Sequence, residues 1–342
     1  MCTLTSDAAP AVAVVRAGEV SPGARDAMLS RALSARFGEA VQVLAMRLAP
    51  GGNSRETWIS DVRIGGEERR VVFRCDPDHW IRPAEMRREI AGLRLAERAG
   101  VPAPRILVST VEHDDGRPYV VTDFVDGTAI ARRVLREPEF AGARSRFAAE
   151  CGEILARLHG APAVDSGFTA YDPIAELSAF VADAAYPSPV LKGATRWLAD
   201  HRPSPLAWRS PVHRDFRLGN LMITASGIAA VLDWETCQLS DPEEDLAWLC
   251  SRAWRYGSDR PVGGIGRLED LLAAYERASG RPVDLARLHW WSVYAETRWG
   301  LASIARQRPG SPGDAMEQAA IMRRGCRQEY NVLLELKRYV GA

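Results

Sequence analysis

At 342 residues the chain is long for a single hydrophobic core, so we expect two lobes or domains. Its composition is ordinary for a globular protein, with 46% hydrophobic and 26% charged residues. The 44 basic residues balance 44 acidic ones, and this zero net charge disfavours a nucleic-acid-binding protein, which usually carries a basic excess. No apolar run reaches the ~18 residues of a membrane span, and no signal peptide is recognisable. We therefore predict a cytoplasmic protein with no nucleic-acid or membrane partner.

The six cysteines are scattered and include no C-x-x-C pair. Metal sites and disulfide frameworks need closer or patterned spacing. We expect free, mostly buried thiols.

The first third of the chain is predicted to form an antiparallel sheet with one inserted helix. Residues 1–38 form an extension with a short helix, and apolar residues then recur about every second position. Short turns separate the β-rich runs, and the helical pattern "PAEMRREIAGLRLAERAG" interrupts them at 83–100. The five predicted strands are 40–48, 56–64, 69–75, 105–111 and 118–125.

Past "VDGTAI" the pattern is helical almost to the end of the chain. The predicted helices are 146–160, 173–186, 190–201, 242–252, 267–279, 284–306 and 313–339. The sequence therefore predicts an α+β, bilobal fold with a five-stranded antiparallel N-lobe sheet and a mostly helical C-lobe. We place the lobe boundaries at 39–126 and 127–342.

The densest polar cluster is "VHRDFRLGNLM" at 212–222, followed by the strand–turn–strand pattern "LMITASGIAAVLD". In an antiparallel hairpin the start of the first strand lies beside the end of the second. Asn220 and Asp233 should therefore meet in space, with Asp215 close by. Two carboxylates and an amide oxygen suit Mg²⁺, which is usually held by one or two carboxylates and by phosphate oxygens.

These three residues match the roles that phosphoryl transfer requires. One aspartate accepts the proton of the attacking hydroxyl, while an asparagine and a second aspartate hold the metal. The spacing His213-Arg214-Asp215-x-x-x-x-Asn220 is that of a kinase catalytic loop, and "DWE" at 233–235 stands where a D-F-G would stand. Ordinary loop polarity is the competing explanation, because Asn and Asp are common in turns.

Three strings together resemble the aminoglycoside phosphotransferase/choline kinase-like family of bacterial small-molecule kinases, which has a protein-kinase-like fold. They are "HRDFRLGNLM", "VLDWETCQLSDPEEDLAWL" and "GGNSRETW…VVFR…RREIAGL". The resemblance covers about residues 40–340 and includes a D-P-x-x-D-L-A run at 241–247. It implies a phosphotransferase with an alcohol acceptor, using ATP and Mg²⁺, with 39–126 binding the nucleotide and 127–342 carrying the catalytic loop and acceptor site.

The resemblance also assigns roles position by position. Asp215 resembles the catalytic base, and Asn220 and Asp233 resemble the metal ligands. His213 and Arg217 are assigned to the catalytic residues with Asp215, and His213 is expected to brace the catalytic loop. The other implied nucleotide-site residues are Asn53 and Ser54 in the phosphate-covering turn, Arg74 and Glu89 as an ion pair, and Thr122, Asp123, Phe124 and Val125 at the hinge.

Arg74 departs from the kinase pattern, because a lysine usually stands at this position. The apolar neighbours of Glu89 in the sequence place this carboxylate on the inward face of the 83–100 helix. A carboxylate on an inward face needs a partner. Arginine also suits phosphate oxygens, so ATP remains the expected donor and GTP is the alternative.

Four polar residues have competing structural explanations. Asp245 is predicted to brace the catalytic loop through backbone contacts. His159, at the end of a helix, is predicted to support a loop and not to bind a ligand. Asn53 and Ser54 could also simply form a turn.

The acceptor pocket should lie between the catalytic loop and the helices after residue 236. Residues 236–342 hold 15 Lys/Arg and 14 Asp/Glu, a net of +1, whereas a site for a polycationic aminoglycoside should be acidic. Aromatic and arginine side chains suit a hydroxylated acceptor with apolar parts and an anionic group, such as a hydroxy acid, a hydroxyacyl thioester or a natural product. Packing between helices is the other explanation for the tryptophans. The residues concerned are Trp248, Trp254, Trp290, Trp291, Trp299, Arg252, Arg255 and Arg298.

Two other classes compete with a small-molecule kinase. A catalytically inactive nucleotide- or metabolite-binding pseudokinase would be expected to lack one member of the Asp215, Asn220 and Asp233 set. A protein kinase would be expected to carry an A-P-E motif and an activation loop, and neither is recognisable. We expect a monomer or homodimer.

Overall fold

The computed structural model describes residues 22–49, 55–77, 81–111, 117–163, 166–183, 188–305 and 327–338. Its strands are β1 (Val41–Leu48), β2 (Glu56–Ile64), β3 (Glu67–Cys75), β4 (Ile106–Thr110), β5 (Tyr119–Asp123), β6 (Ser210–Val212), β7 (Leu221–Thr224), β8 (Gly227–Val231) and β9 (Gln238–Ser240). Its helices are α1 (Pro22–Phe37), α2 (Pro83–Ala99), α3 (Ala131–Arg136), α4 (Ala141–Gly160), α5 (Pro173–Asp183), α6 (Pro189–Asp200), α7 (Glu243–Cys250), α8 (Leu268–Ser279), α9 (Leu285–Ala305) and α10 (327–338).

The N-terminal sheet is antiparallel and five-stranded in the order β1-β2-β3-β5-β4, which confirms the prediction. Alternate residues of β2 are buried, because successive side chains of a strand point to opposite faces. Val62 and Phe73 of this sheet pack in one apolar cluster with Leu29 and Leu33 of α1. The helix near the N-terminus therefore covers one face of the sheet.

Helix α2 lies between β3 and β4 in sequence but packs against the C-terminal half. Pro83 stands at its first turn, and Gly100, with φ 65°, ends it by donating to the carbonyls of Ala96 and Glu97. The apolar side chains of α2 belong to the larger core cluster. A Cβ on Gly92 would lie 2.7 Å from the Trp234 Cβ, so this position needs glycine for close packing.

The C-terminal half is mostly helical, as predicted. Helices α4 and α8 cross so closely that a Cβ on Gly152 would lie 2.6 Å from the Leu271 carbonyl oxygen. Two two-stranded sheets, β6–β9 and β7–β8, frame the catalytic loop. The sequence analysis missed β6 and β9, because three residues are too few to show periodicity.

Most predicted boundaries agree with the structure within a few residues. The helix predicted at 173–186 ends at Asp183, and 184–187 lie outside the described residues. Of the helix predicted at 313–339, residues 327–338 are helical and the rest lies outside the described residues. Cys75, Cys151 and Cys237 are buried free thiols, and Cys250 is a partly buried one. No helix in the described ranges is both long and apolar enough to cross a membrane.

Candidate active site

The catalytic loop, residues 213–220, runs from the end of β6 to the start of β7. Pairing of Val212 with Gln238 and of Leu221 with Val231 fixes both of its ends. Arg214 has a φ of 65°, a conformation that a non-glycine residue adopts only when its surroundings hold it there. The loop is therefore a fixed turn and not an open connection.

Asp245 of α7 supplies much of that constraint. Its carboxylate accepts the backbone N–H groups of His213 and Arg214, each at 2.7 Å, and contacts His159 Nε2 at 3.1 Å. Burial alone would raise the pKa of Asp245, but the hydrogen bond from His159 and the nearby His213 hold it below the usual value. These are the backbone contacts that the sequence predicted for Asp245, and His159 supports the loop through them.

The His213 side chain also fixes the loop, through contacts with backbone groups. Its Nε2 lies 3.0 Å from the Leu232 carbonyl, and its Nδ1 accepts the Asp215 backbone N–H at 3.2 Å. The ring also packs edge-on against Trp234 at 4.8 Å. Both ring nitrogens are thus occupied by backbone groups, as a bracing residue requires.

The side chain of Asp215 accepts hydrogen bonds from three side chains. Trp248 Nε1 and Arg217 Nε donate to Oδ1 at 2.9 and 3.0 Å, and Asn220 Nδ2 donates to Oδ2 at 2.6 Å. The predicted pair Asp215 and Asn220 is therefore in direct contact. Three donors on one carboxylate fix its orientation.

Asp233 follows β8 at the other end of the hairpin. The Leu232 N–H donates to the Asn220 carbonyl at 2.8 Å, so the hairpin brings the two predicted metal ligands to the same edge. Burial disfavours the charge of Arg217, but Asp215 and, more weakly, Asp233 raise the pKa of its guanidinium above the usual arginine value. Both carboxylates therefore act on the same side chain.

The predicted ion pair between Arg74 and Glu89 is present. Arg74 Nη2 also lies 3.4 Å from Asp233 Oδ1, which links the N-terminal sheet to the hairpin. Burial opposes the Arg74 charge, yet Glu89 and Asp233 raise the pKa of the guanidinium. This arrangement puts a planar cation next to the predicted metal site.

Arg55 is a second buried arginine near this site, and no role for it was predicted from the sequence. Its guanidinium bonds Asp76 at 2.9 Å and pairs with Glu89, and it lies 3.3 Å from Glu235. Burial and the neighbouring Asp233 raise the pKa of Glu235, while Arg55 opposes this rise. The only sequence signal was an arginine directly after the predicted phosphate-covering turn.

The predicted hinge is only partly available to a purine. Thr122 is buried in β5, the Asp123 amide donates to the Arg105 carbonyl at 3.0 Å, and the Phe124 amide donates to the Arg70 carbonyl at 3.3 Å. Of the three amides from 123 to 125, only that of Val125 has no backbone acceptor among the described residues. Asn53 and Ser54 lie outside the described residues.

Three of the five tryptophans in residues 236–342 form one cluster beside Asp215. Trp248, Trp254 and Trp299, the tryptophan cluster, have ring centroids 4.8–6.4 Å apart. The Arg217 guanidinium lies over Trp254 at 4.8 Å, and that of Arg298 lies over Trp248 at 4.9 Å.

The other two tryptophans pack helices together. The Trp290 indole donates to the Leu198 carbonyl at 3.0 Å, and that of Trp291 donates to Asp241 at 3.2 Å. Helix packing is thus the correct explanation for Trp290 and Trp291, while the tryptophan cluster lies next to the predicted base. Arg252 and Arg255 lie apart from this site and line a separate cavity.

A second unpredicted network surrounds Arg214. Its guanidinium bonds Glu176 and Glu244 at 2.7–2.9 Å and lies 3.9 Å above the Tyr171 ring. Tyr294 donates to the same Glu176 carboxylate. Arg214 therefore connects the catalytic loop to α5, α7 and α9, the helices around the tryptophan cluster.

Comparison with known proteins agrees with this geometry. The model of the phosphotransferase enzyme family matches residues 46–291. A solved structure of a candidate aminoglycoside phosphotransferase from Ralstonia eutropha JMP134 superposes with a TM-score of 0.71 at 19% identity, covering 93% of this chain and 98% of that one. A thermostable mutant of aminoglycoside phosphotransferase APH(4)-Ia, in ternary complex with ADP and hygromycin B, gives 0.61 at 16% identity, covering 90% and 98%.

One curated relative is acyl-CoA dehydrogenase family member 10 of Mus musculus, 26% identical over 220 residues. The match covers 58% of this chain and 19% of that protein. The chain spans less than a third of the length of the curated relatives it matches. The structural likenesses establish the fold, and the family model covers well over half of the chain: this chain belongs to the phosphotransferase enzyme family.

Proposed function

We propose that the protein transfers the γ-phosphoryl group of ATP, with Mg²⁺, directly to the hydroxyl of a small metabolite that carries apolar and anionic parts. The convergence of Asp215, Asn220 and Asp233 on one edge, beside the Arg74–Glu89 pair, carries this proposal. Phosphoryl transfer depends mainly on positioning and charge stabilisation, and this edge supplies groups for both.

Asp215 is the proposed base. Its Oδ1 is occupied by Trp248 and Arg217, so Oδ2, shared with Asn220, is the oxygen that would meet the acceptor hydroxyl. In this role it orients the hydroxyl and accepts its proton as the new P–O bond forms. His213 and Asp245 are positioning residues, because they act through the loop backbone.

Asn220 and Asp233 are the proposed magnesium ligands. The Asn220 amide nitrogen donates to Asp215, which leaves the amide oxygen for a cation, and the Asp233 side chain is 31% exposed. The described residues contain no group of three or more His, Cys, Asp or Glu side chains that could hold a metal. A site with few protein ligands fits Mg²⁺ that shares phosphate oxygens; when bound, the ion neutralises charge on the phosphates.

Arg74 is the proposed phosphate-binding cation, held by Glu89. A guanidinium can contact two phosphate oxygens at once, whereas a lysine acts as a point charge. Asn53 and Ser54 would cover the phosphates, and the Val125 amide, with carbonyls of the hinge, would meet the purine. ATP is the proposed donor, and GTP is the alternative to be tested.

The tryptophan cluster and its two arginines suggest the acceptor class. The buried Trp248 and Trp254 rings make the surroundings of Asp215 apolar, and Arg217 and Arg298 lie over these rings as cations. An acceptor with an apolar chain and a carboxylate, thioester or phosphate group would use both features. Hydroxy acids, hydroxyacyl thioesters and hydroxylated natural products fit, and the acyl-CoA dehydrogenase name of the curated relatives makes hydroxyacyl-CoA the first candidate to test.

An antibiotic phosphotransferase is the second candidate. The structural neighbours include proteins whose structures contain hygromycin B or spectinomycin. Against a polycationic acceptor, Arg217 and Arg298 both lie beside the predicted base, and the nearby Glu176 is already paired with Arg214 and Arg298. Like charges at a binding site disfavour such a ligand.

A screen of hydroxylated compounds for ATP consumption tests this proposal. Hydroxyacyl-CoAs, hydroxy acids and aminoglycosides are compared, with the Asp215→Asn variant as control. We expect turnover with an anionic, partly apolar acceptor and none with the variant. Selective turnover of aminoglycosides would overturn the acceptor class. Nucleotide binding without turnover across the screen would favour a pseudokinase.

A further inference from the structure

A separate cavity lies behind α7, on the side away from the catalytic loop. On this helix Asp245 and Trp248 contact the loop, whereas Ala247 and Cys250 point to the opposite side and line the cavity. The cavity volume is about 610 Å³, which is in the range of small-molecule sites. None of the residues assigned to the active site lines it.

The cavity is lined by four cations. Two of them neutralise one acid: Arg252 Nε and Arg338 Nη1 lie 3.0 and 3.1 Å from the two oxygens of buried Glu335. This triad retains one unit of positive charge. The four cations are Arg252, Arg255, Lys337 and Arg338.

The remaining acids of the lining are bonded to other groups or exposed. Glu296 is buried, and burial raises the pKa of its carboxyl above the usual value. Its Oε1 accepts the Ser251 hydroxyl and the Arg252 backbone N–H. Glu269 is exposed and pairs with Arg267 outside the cavity. Asp259 is also exposed, where water screens its charge.

Within the described residues, Arg255 bonds a backbone carbonyl and not a carboxylate. Its Nε and Nη2 donate to the Cys250 carbonyl at the end of α7, at 3.0 and 2.7 Å. Across the ranges that the structure describes, Arg255 forms no ion pair with a carboxylate. Burial and the repulsion from Arg252 hold the pKa of Arg255 below the usual arginine value. An anion in the cavity would give this partly buried guanidinium a charged partner.

We propose that this cavity binds a small anionic metabolite through a carboxylate or phosphate group held by Arg255 and Lys337. The site is distinct from the acceptor site and does not depend on the proposed reaction. Its position gives it a physical route to the active site, because Ala247 and Cys250 belong to the same helix as Asp245 and Trp248.

Calorimetric titration of the full chain with inorganic phosphate and with succinate tests the proposal. We expect one of these probes to bind, and the pair distinguishes phosphate from carboxylate recognition. Arg255→Gln should weaken binding about tenfold, the loss of one charge-assisted contact. Lys337→Gln, at an exposed position that does not endanger folding, should weaken it a few-fold. Arg277→Gln removes an exposed charge outside the cavity and should bind as the wild type does.

Arg74→Gln separates this site from the nucleotide site. If anion binding survives in Arg74→Gln and falls in both cavity variants, the proposal holds, whether or not the protein turns over ATP. Binding of neither probe up to ~10 mM would overturn it. Equal binding by the wild type and both cavity variants, or loss only in Arg74→Gln, would also overturn it.

Discussion

The Trp248 indole N–H donates to Asp215 Oδ1 across 2.9 Å, so a residue of α7 directly orients the proposed base. The same helix holds the loop backbone through Asp245, the second aspartate of the D-P-x-x-D-L-A run. One short helix therefore sets both the path of the catalytic loop and the direction of its carboxylate.

Trp248→Phe keeps most of the ring and removes the donor to Asp215. We expect kcat to fall about tenfold or more, because one hydrogen bond to a charged group is worth about 1.5–3 kcal/mol. ADP affinity should stay unchanged. Trp290→Phe is the matched control, since it removes a buried indole bond to the Leu198 carbonyl away from the site. Equal kcat losses in the two folded variants would contradict this role for Trp248.

Arg55→Met should destabilise the protein strongly. The variant leaves Asp76 and Glu89 buried without their shared partner, and breaking a buried ion pair costs about 3–5 kcal/mol. Urea unfolding measures the loss. Arg63→Met breaks a solvent-exposed pair with Glu68 and should cost less than ~1 kcal/mol. A similar, small change in both variants would mean that the Arg55 network is not stabilising.

Asp245→Asn should reduce both stability and turnover. The carboxylate of Asp245 accepts one backbone N–H on each oxygen, whereas an asparagine amide has only one oxygen that can accept. One of the two buried N–H groups is therefore left unpaired, at a cost of about 3 kcal/mol. Asp241→Asn removes another buried carboxylate, one that pairs with Arg209 and Arg287 away from the loop. Among folded molecules, kcat should fall in the first variant and persist in the second. Normal kcat in Asp245→Asn would contradict its bracing role.

Glu296→Gln should become relatively more stable as pH rises. Burial raises the pKa of Glu296 above the ordinary value of 4.5 in the fold, so the fold favours its protonated form. Wild-type stability is therefore lost as pH rises from the unfolded pKa through the folded one, and glutamine avoids this loss. Urea unfolding at several pH values measures the difference between variant and wild type.

Glu269→Gln is the control for this pH dependence. Its own backbone amide and Arg267 lower the pKa of this exposed carboxyl, so its contribution has the opposite sign. A difference between Glu296→Gln and wild type that does not change with pH, or that changes in the same direction as in Glu269→Gln, would contradict the assignment.

The sequence predicted those parts of the fold that depend on local pattern. The strands of the N-terminal sheet follow a period of two, and α2 shows helical periodicity ending at Gly100. The hairpin pattern also predicted that Asn220 lies near Asp233, because the two short strands and their turn are contiguous in sequence. The Arg74–Glu89 pair was implied by the family resemblance, and the inward position of Glu89 on its helix supported it.

The sequence did not reveal contacts that only the folded chain creates. Arg55 meets Glu89 34 residues away, and Trp248 meets Asp215 33 residues away. Neither pair shows a periodic signal, since each depends on how separate elements pack. The same limit explains why tryptophans in the site could not be separated from Trp290 and Trp291, which only pack helices.

We propose that the edge formed by Asp215, Asn220 and Asp233 transfers phosphate from ATP to a small-molecule hydroxyl. Mass spectrometry of the acceptor after incubation with ATP and Mg²⁺ tests this transfer, with wild type and Asp215→Asn matched for ADP binding. We predict a phosphate ester on the acceptor with the wild type and essentially none with the variant. The same yield of ester from both proteins would contradict the claim.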